Sequence, residues 1–115
     1  MRAVVTAIMF AIIVGCASAR PATQGIEEPP RMVEAVLGQI PVGTSIDEAQ
    51  RFMEREGFKC SRSVNEAFRD RKGLDYIHCD RSDGSRLVQR RWQIAIVHRD
   101  GKVVEALATA GLVGP

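Results

Sequence analysis

The sequence predicts a two-layer α+β domain, with two N-terminal helices packed on one face of a three- to four-stranded antiparallel sheet. Apolar residues recur at helical spacing in the first half of the folded part and alternate with polar residues in the second half. A strong hairpin signal, Asp100-Gly101, joins the last two alternating segments. Because the helices precede the strands instead of alternating with them, these observations favour an α+β fold.

The 115-residue chain divides into three parts. Residues 1–19 resemble a bacterial export signal, in which Arg2 supplies the positive charge and an uncharged apolar run extends from Ala3 to Val14. That run is too short for a membrane-spanning helix, which needs about 20 apolar residues. Residues 20–30 are predicted to be a disordered tether because they are rich in Pro, Gly and Glu, and residues 31–115 form a single domain.

Two sites of processing are consistent with the export segment. Ala17-Ser18-Ala19 fits the A-x-A cleavage pattern, which would release a chain that begins at Arg20. Residues 13–16, Ile-Val-Gly-Cys, resemble a lipobox, which would leave Cys16 as the site of lipidation. The tether favours lipidation because an anchored domain needs a spacer and a freely secreted one does not.

The remaining cysteines, Cys60 and Cys79, are predicted to form a disulfide, because either processing route removes Cys16 from the count of thiols. The bond would close a loop of about 20 residues and stabilise the domain by about 3 kcal/mol. A metal site that also uses His78 and Asp80 is the rival interpretation. It is disfavoured because His78 and Cys79 are adjacent and would point to opposite faces of a strand.

Both helices have recognisable ends. The first is predicted over residues 31–39, with Pro30 at its start. The second begins with a capping box, in which the Ser45 hydroxyl accepts a backbone N–H and Glu48 reaches back. Gly57 is predicted to end this helix in the left-handed conformation.

Four segments alternate as strands do, and they cover residues 58–62, 74–79, 86–98 and 103–109. Residues 63–73 are mostly polar, with a loop predicted from Asp70 to Gly73, and Phe68 is expected to contact the core. Residues 81–85 are predicted to be a turn, and residues 110–115 a short apolar tail.

The last hairpin admits two loop lengths. A three-residue loop with Gly101 in a bulge would set Ile96 opposite Val104. A two-residue loop would set Ile96 opposite Glu105, which is a poorer pair. We therefore expect the three-residue loop.

The start of the second helix resembles a known family. Residues 40–49 read IPVGTSIDEA, and Met53 and Gly57-Phe58 follow them. This segment is similar to the I-x-x-G-x-[ST]-x-x-[ED]-[AV] pattern of small outer-membrane assembly lipoproteins of the BamE type and of domains with the β-lactamase-inhibitor-protein-like fold. The resemblance implies two helices before three strands, a lipidated cysteine at Cys16 and an envelope binding module as the function. It assigns no further functional residues.

A candidate partner surface surrounds the only tryptophan. Arg86, Arg90 and Arg91 flank Trp92, and protein interfaces are enriched in both residue types. The alternative is a core tryptophan with arginines that cover the sheet. Strand alternation would place Arg90 and Trp92 on one face and Arg91 on the other.

The chemistry-bearing residues do not indicate an enzyme. His78 and His98 could serve as general bases, but no nucleophile, metal or phosphate motif accompanies them. The 16 basic residues balance 14 acidic ones, so nothing favours nucleic-acid binding. We expect no cofactor and no bound metal.

Together these features predict an exported, lipid-anchored envelope protein that acts as a non-enzymatic protein-binding or structural module. Its partner would be another envelope protein, and the edge of the last strand, Val103 to Thr109, could accept a partner strand. A freely secreted or periplasmic binding or inhibitor domain is the first alternative. A small hydrolase or metal protein that uses His78 and His98 is the second.

Overall fold

The computed structural model describes residues 22–85 and 87–113. Its elements are α1 (Pro29–Gln39), α2 (Ile46–Arg55), β1 (Lys59–Phe68), β2 (Arg71–Gly84), β3 (Gln89–Arg99) and β4 (Lys102–Val113). The strands form one antiparallel sheet in the order β1-β2-β3-β4. The predicted α+β fold of two helices and an antiparallel sheet is therefore confirmed, with four strands. The export segment, Cys16 and Arg86 lie outside the described residues.

The main core lies between the two helices and one face of the sheet. Its fully buried members include Met32, Val36, Ala49, Met53, Ile77, Cys79, Trp92, Ile94 and Ile96. Alternate strand residues contribute to it, as the period of two requires. We call the sheet surface toward the helices the helix face and the opposite surface the open face.

The Ser45 half of the predicted capping box forms at the start of α2, and the helix ends at Gly57 as the sequence predicts. The Ser45 hydroxyl accepts a hydrogen bond from the Glu48 N–H at 3.2 Å. Gly57 follows the helix at φ 94°, and the Phe58 N–H donates to the Met53 carbonyl at 3.0 Å. This pair of features is a Schellman ending, which satisfies carbonyls that the helix leaves without partners.

The prediction of a loop over residues 70–73 is wrong, and most of the polar segment 63–73 belongs to strands. β1 continues to Phe68 and only Arg69-Asp70 separates it from β2. A bulge interrupts the pairing near Asn65, whose N–H donates to the Asp75 carboxylate at 2.9 Å. The polar composition misleads because an edge strand that is exposed on both faces needs no apolar alternation. Phe68 is buried as expected, but on the open face.

The predicted turn at residues 81–85 is also wrong. β2 continues to Gly84, and the connection to β3 comes after it, with the Ser85 N–H bonded to the Val88 carbonyl. The polar residues in this segment reflect the burial of Arg81 in a charged network, described below, and not a turn.

The last hairpin differs in loop length and in register. Its loop has two residues, Asp100 and Gly101, which both have positive φ (55° and 78°), as a type I′ turn requires. The extra residue is Val104 in β4, which lies between Val103 and Glu105, the partners of His98 and Val97. Ile96 therefore faces Ala106, and the apolar match is kept by a bulge inside the strand instead of at the turn. Residues 110–113 belong to β4, so the prediction that they form a tail is wrong.

A smaller apolar cluster occupies the open face. Phe68, Tyr76, Ala95 and Val97 are buried there against each other. The rings of Phe68 and Tyr76 meet edge to face at 5.7 Å, and the Tyr76 hydroxyl donates to the Ala67 carbonyl at 2.8 Å. This cluster fixes the β1–β2 hairpin against the sheet, and no helix of the described residues packs on it.

Candidate functional site

The arginine and tryptophan surface does not assemble at one place. Trp92 is fully buried in the main core and presents no contact area. Arg91 lies on the open face and makes a bidentate pair with Asp80, at 3.0 and 2.6 Å. The hydrogen bond from Arg91 lowers the pKa of Asp80 below its ordinary value. Arg90 lies on the helix face and lines a surface groove beside Leu112.

The cysteine pair lies across the β1–β2 ladder. Cys60 is directly opposite Cys79, and their sulfur atoms are 3.0 Å apart. This distance is longer than a disulfide bond of about 2.05 Å, and both thiols are free in the structure. The hydrogen bond to Cys60 and the burial of Cys79 raise the pKa of the Cys79 thiol. A fully buried thiol held in its neutral form is a poor nucleophile.

The two histidines lie on opposite faces of the sheet. His78 is on the open face, with its ring 6.3 Å from the Phe68 ring and 6.5 Å from the Tyr76 ring. His98 is opposite Val103, a residue of the main core. The two imidazoles therefore cannot act on one substrate. Across residues 22–85 and 87–113, no group of three or more His, Cys, Asp and Glu side chains could hold a metal ion.

A buried charged network, which the sequence did not reveal, holds the N-terminal segment. Thr23 is fully buried, and the Glu56 carboxylate accepts both its N–H at 2.8 Å and its hydroxyl at 2.5 Å. Arg81 donates to the Thr23 hydroxyl at 2.8 Å and to the Thr23 carbonyl at 3.0 Å. Asp83 pairs with the same guanidinium at 2.7 Å, and the Phe58 ring lies 4.3 Å from it. We call these five residues the Thr23 clamp.

Because of the clamp, most of the segment predicted to be a disordered tether is held against the domain. From Ala22 onward, the described part of residues 20–30 lies against the domain, and Ile26 packs on the main core. Helix α1 already begins at Pro29. One signal was available in the sequence: Arg81 continues the helix-face series of Ile77 and Cys79, where a charge requires partners.

The outer edge of β4 is unpaired over most of its length among the described residues. The loop between the helices pairs with its start, through the Gly43 N–H to the Val103 carbonyl and the Val103 N–H to the Thr44 carbonyl, both at 2.8 Å, and α1 packs against β4. No described strand pairs with this edge from Val104 to Val113. Ala106 to Val113 contains no charged residue and no proline.

The other edge of the sheet, β1, is protected. It carries Lys59, Arg62 and Glu66, and its pairing with β2 shifts register twice. Charges and bulges of this kind discourage pairing with another chain. The two edges therefore differ in their capacity to accept a strand.

Comparisons with protein-family models, with curated proteins and with solved structures found no match. The resemblance to BamE-type lipoproteins therefore stays a prediction. Within the part of the chain that the structure describes, no helix is both long and apolar enough to cross a membrane.

Proposed function

We propose that this chain is an exported, lipid-anchored envelope protein that binds another envelope protein and catalyses no reaction of its own. The export segment and the lipobox ending at Cys16 support the location. The observation that carries the binding role is the uncharged outer edge of β4, from Ala106 to Val113. Its backbone groups can pair with an extended segment of a partner.

The contrast between the two edges supports strand addition at β4. Natural sheets protect exposed edges with lysines, prolines or bulges, because an unprotected edge pairs with other chains. β1 carries such protection and β4 lacks it beyond Glu105. The expected partner presents an extended, mostly apolar segment that adds a fifth strand beside β4.

Co-purification with a matched pair of variants tests the binding role. The full chain is purified from solubilised membranes, and we expect one stoichiometric partner. Thr109→Lys places a charge on the open face of β4, where it disfavours pairing, and should abolish recovery of the partner. Ser61→Lys places the same charge on the open face of β1 and should leave recovery unchanged. Recovery of a bare monomer from the parent chain, or equal loss in both variants, would contradict the proposal.

The intact mass of the mature chain tests the anchor. A chain that begins at Cys16 and carries acyl groups supports it. A chain that begins at Arg20 without lipid supports instead the freely secreted or periplasmic binding or inhibitor domain. The two masses differ by residues 16–19 as well as by the lipid, so the assignment is unambiguous.

The Cys60–Cys79 disulfide belongs to the same proposal. Directly opposite residues of antiparallel strands have Cα atoms about 4.5–5.5 Å apart, which is within the range that a disulfide spans. An oxidising compartment would therefore join the two sulfur atoms with little movement of the backbone. Alkylation of the native protein without reduction should leave both cysteines unmodified, and ready labelling of both would exclude the bond.

A further inference from the structure

Four exposed apolar side chains lie together at one end of the sheet. Leu87 and Val88 precede β3, and Leu112 and Val113 end β4, with exposed fractions of 69%, 50%, 68% and 47%. The register sets Leu112 opposite Arg90, two residues after Val88, so the two pairs are neighbours at this end, with Leu112 on the helix face and Val113 on the open face. We call this cluster the Leu112 end. Grouped apolar side chains of this kind mark a contact surface, whereas single ones do not.

The N-terminal segment joins the domain at the same end. A groove of about 420 Å³ is lined on one side by residues 24–27 and on the other by Val88, Arg90 and Leu112. The Thr23 clamp holds the chain directly before this groove. The chain therefore reaches the domain beside the Leu112 end.

The length of chain before the clamp limits how far this end can lie from a lipid on Cys16. Cys16 precedes Thr23 by seven residues. Seven fully extended residues span at most about 25 Å. β2 has 14 residues, so the opposite end of the sheet lies about 45 Å further along the strands. A lipid anchor thus brings the Leu112 end, and not the opposite one, to the membrane.

We infer that the Leu112 end is seated on the membrane surface that holds the anchor, with its four apolar side chains in the boundary between headgroups and acyl chains. This inference rests on the lipid anchor of the proposed function. A single acyl chain binds a membrane only marginally, so a second apolar contact beside it adds to the attachment. Arg90 can lay its aliphatic stem along the apolar cluster and direct its guanidinium to the headgroups.

The seating would orient the whole domain. The strands would run away from the membrane, because the Leu112 end is one end of β3 and β4. The outer edge of β4 would then extend away from the membrane surface and would be accessible to a partner in the same envelope. Membrane contact would use the side chains of Leu112 and Val113, whereas strand addition would use backbone groups from Ala106 to Gly111, so the two do not exclude each other.

Photo-crosslinking of the mature chain in phosphatidylcholine vesicles tests the inference without disturbing the fold. Every leucine is replaced by photo-leucine, and lipid adducts are located by mass spectrometry. The variant Val42→Leu adds a control leucine at a site with 63% exposure, close to the 69% of Leu87 and the 68% of Leu112. Val42 lies in the loop that pairs with the far end of β4, beside Val103.

We expect adducts at Leu87 and Leu112 to exceed those at position 42 about tenfold or more, as burial of an aliphatic side chain implies. Equal labelling at the three positions, or none at Leu87 and Leu112 in a chain that floats with the vesicles, would overturn the seating and leave the anchor intact. A chain that fails to float and begins at Arg20 would overturn the anchor and the seating together. Intact mass and flotation thus separate the two failures.

Discussion

Thr23 has the smallest polar side chain in the Thr23 clamp, yet it contacts both of the charged groups that hold the N-terminal segment. Its hydroxyl donates to Glu56 and accepts from Arg81, while its backbone N–H and carbonyl bond the same two residues. A buried guanidinium needs such partners because an unpaired charge in the interior is costly. The clamp therefore fixes residues that composition alone assigns to a flexible spacer.

Replacement of Thr23 by valine tests this role at nearly constant volume. Thr23→Val removes the hydroxyl bonds to Glu56 and Arg81 and leaves the backbone bonds in place. We expect the free energy of unfolding to fall by about 1–3 kcal/mol, measured by urea denaturation. Thr109→Val, on the open face of β4, should change it by less than about 0.5 kcal/mol. Equal effects of the two substitutions would contradict a special role for Thr23.

His98 predicts a pH dependence of stability. Its partial burial lowers its pKa below the ordinary value of 6.5, and its Nε2 atom has no hydrogen-bond partner among the described residues. Below about pH 6.5 the unfolded chain therefore binds more protons at this residue than the folded chain does. The free energy of unfolding should decrease as the pH falls from about 7.5 to about 5.5.

The variant His98→Gln isolates this contribution. The free energy of unfolding of this variant should differ from that of the parent chain by a constant amount above about pH 7.5, where the imidazole is neutral in both states. Below that pH the difference should change as the imidazole takes up a proton. The carboxylates of Asp80 and Glu105 have lowered pKa values, because Arg91 and Arg71 donate hydrogen bonds to them. Their contribution to the free energy of unfolding is lost only at more acidic pH. Parallel profiles for the two chains would show that His98 is not responsible.

At the scale of elements, replacing either of two glycines by alanine should change the free energy of unfolding in opposite directions. Gly57 ends α2 at φ 94°, where an alanine is strained even though its Cβ would meet only ordinary contact with Arg81, at 3.5 Å. Gly38 lies within α1, and a Cβ there would meet nothing within 4 Å. Gly57→Ala should destabilise the domain by about 1 kcal/mol and Gly38→Ala should stabilise it by about 0.5–1 kcal/mol. Urea denaturation of both variants measures the two shifts, and shifts of the same sign would contradict this account.

The elements also show where local signals suffice. The Ser45 cap and the Gly57 ending depend on residues within a few positions of each other, so the sequence predicts them. The sequence also predicts the position of the Asp100-Gly101 turn, but not its two-residue length. The extent of β1 and β2 depends on which faces become exposed in the sheet. The polar segments at residues 63–73 and 81–85 therefore belong largely to strands that their composition does not indicate.

At the scale of the whole molecule, the cysteine pair joins the edge strand β1 to the centre of the sheet. Cys60 is partly buried and Cys79 fully buried, and the sheet places their sulfur atoms side by side. If the exported protein forms the disulfide, addition of a reductant should lower the free energy of unfolding by about 3 kcal/mol. Urea denaturation with and without reductant measures the loss. Cys60→Ser should show no response to the reductant, and a parent chain that also shows none would exclude the bond.

The amino-acid sequence by itself determined the α+β class, the Ser45 cap, the Gly57 ending and the position of the last turn. Each of these depends on composition, on period or on neighbours in the chain. Only the tertiary structure decided the bulge that sets Ile96 opposite Ala106, the Thr23 clamp and the Leu112 end. The clamp joins Thr23 to a partner 58 positions away, and the Leu112 end unites two segments through the register of β3 with β4. Such contacts follow from how the elements pack, which no local pattern in the chain encodes.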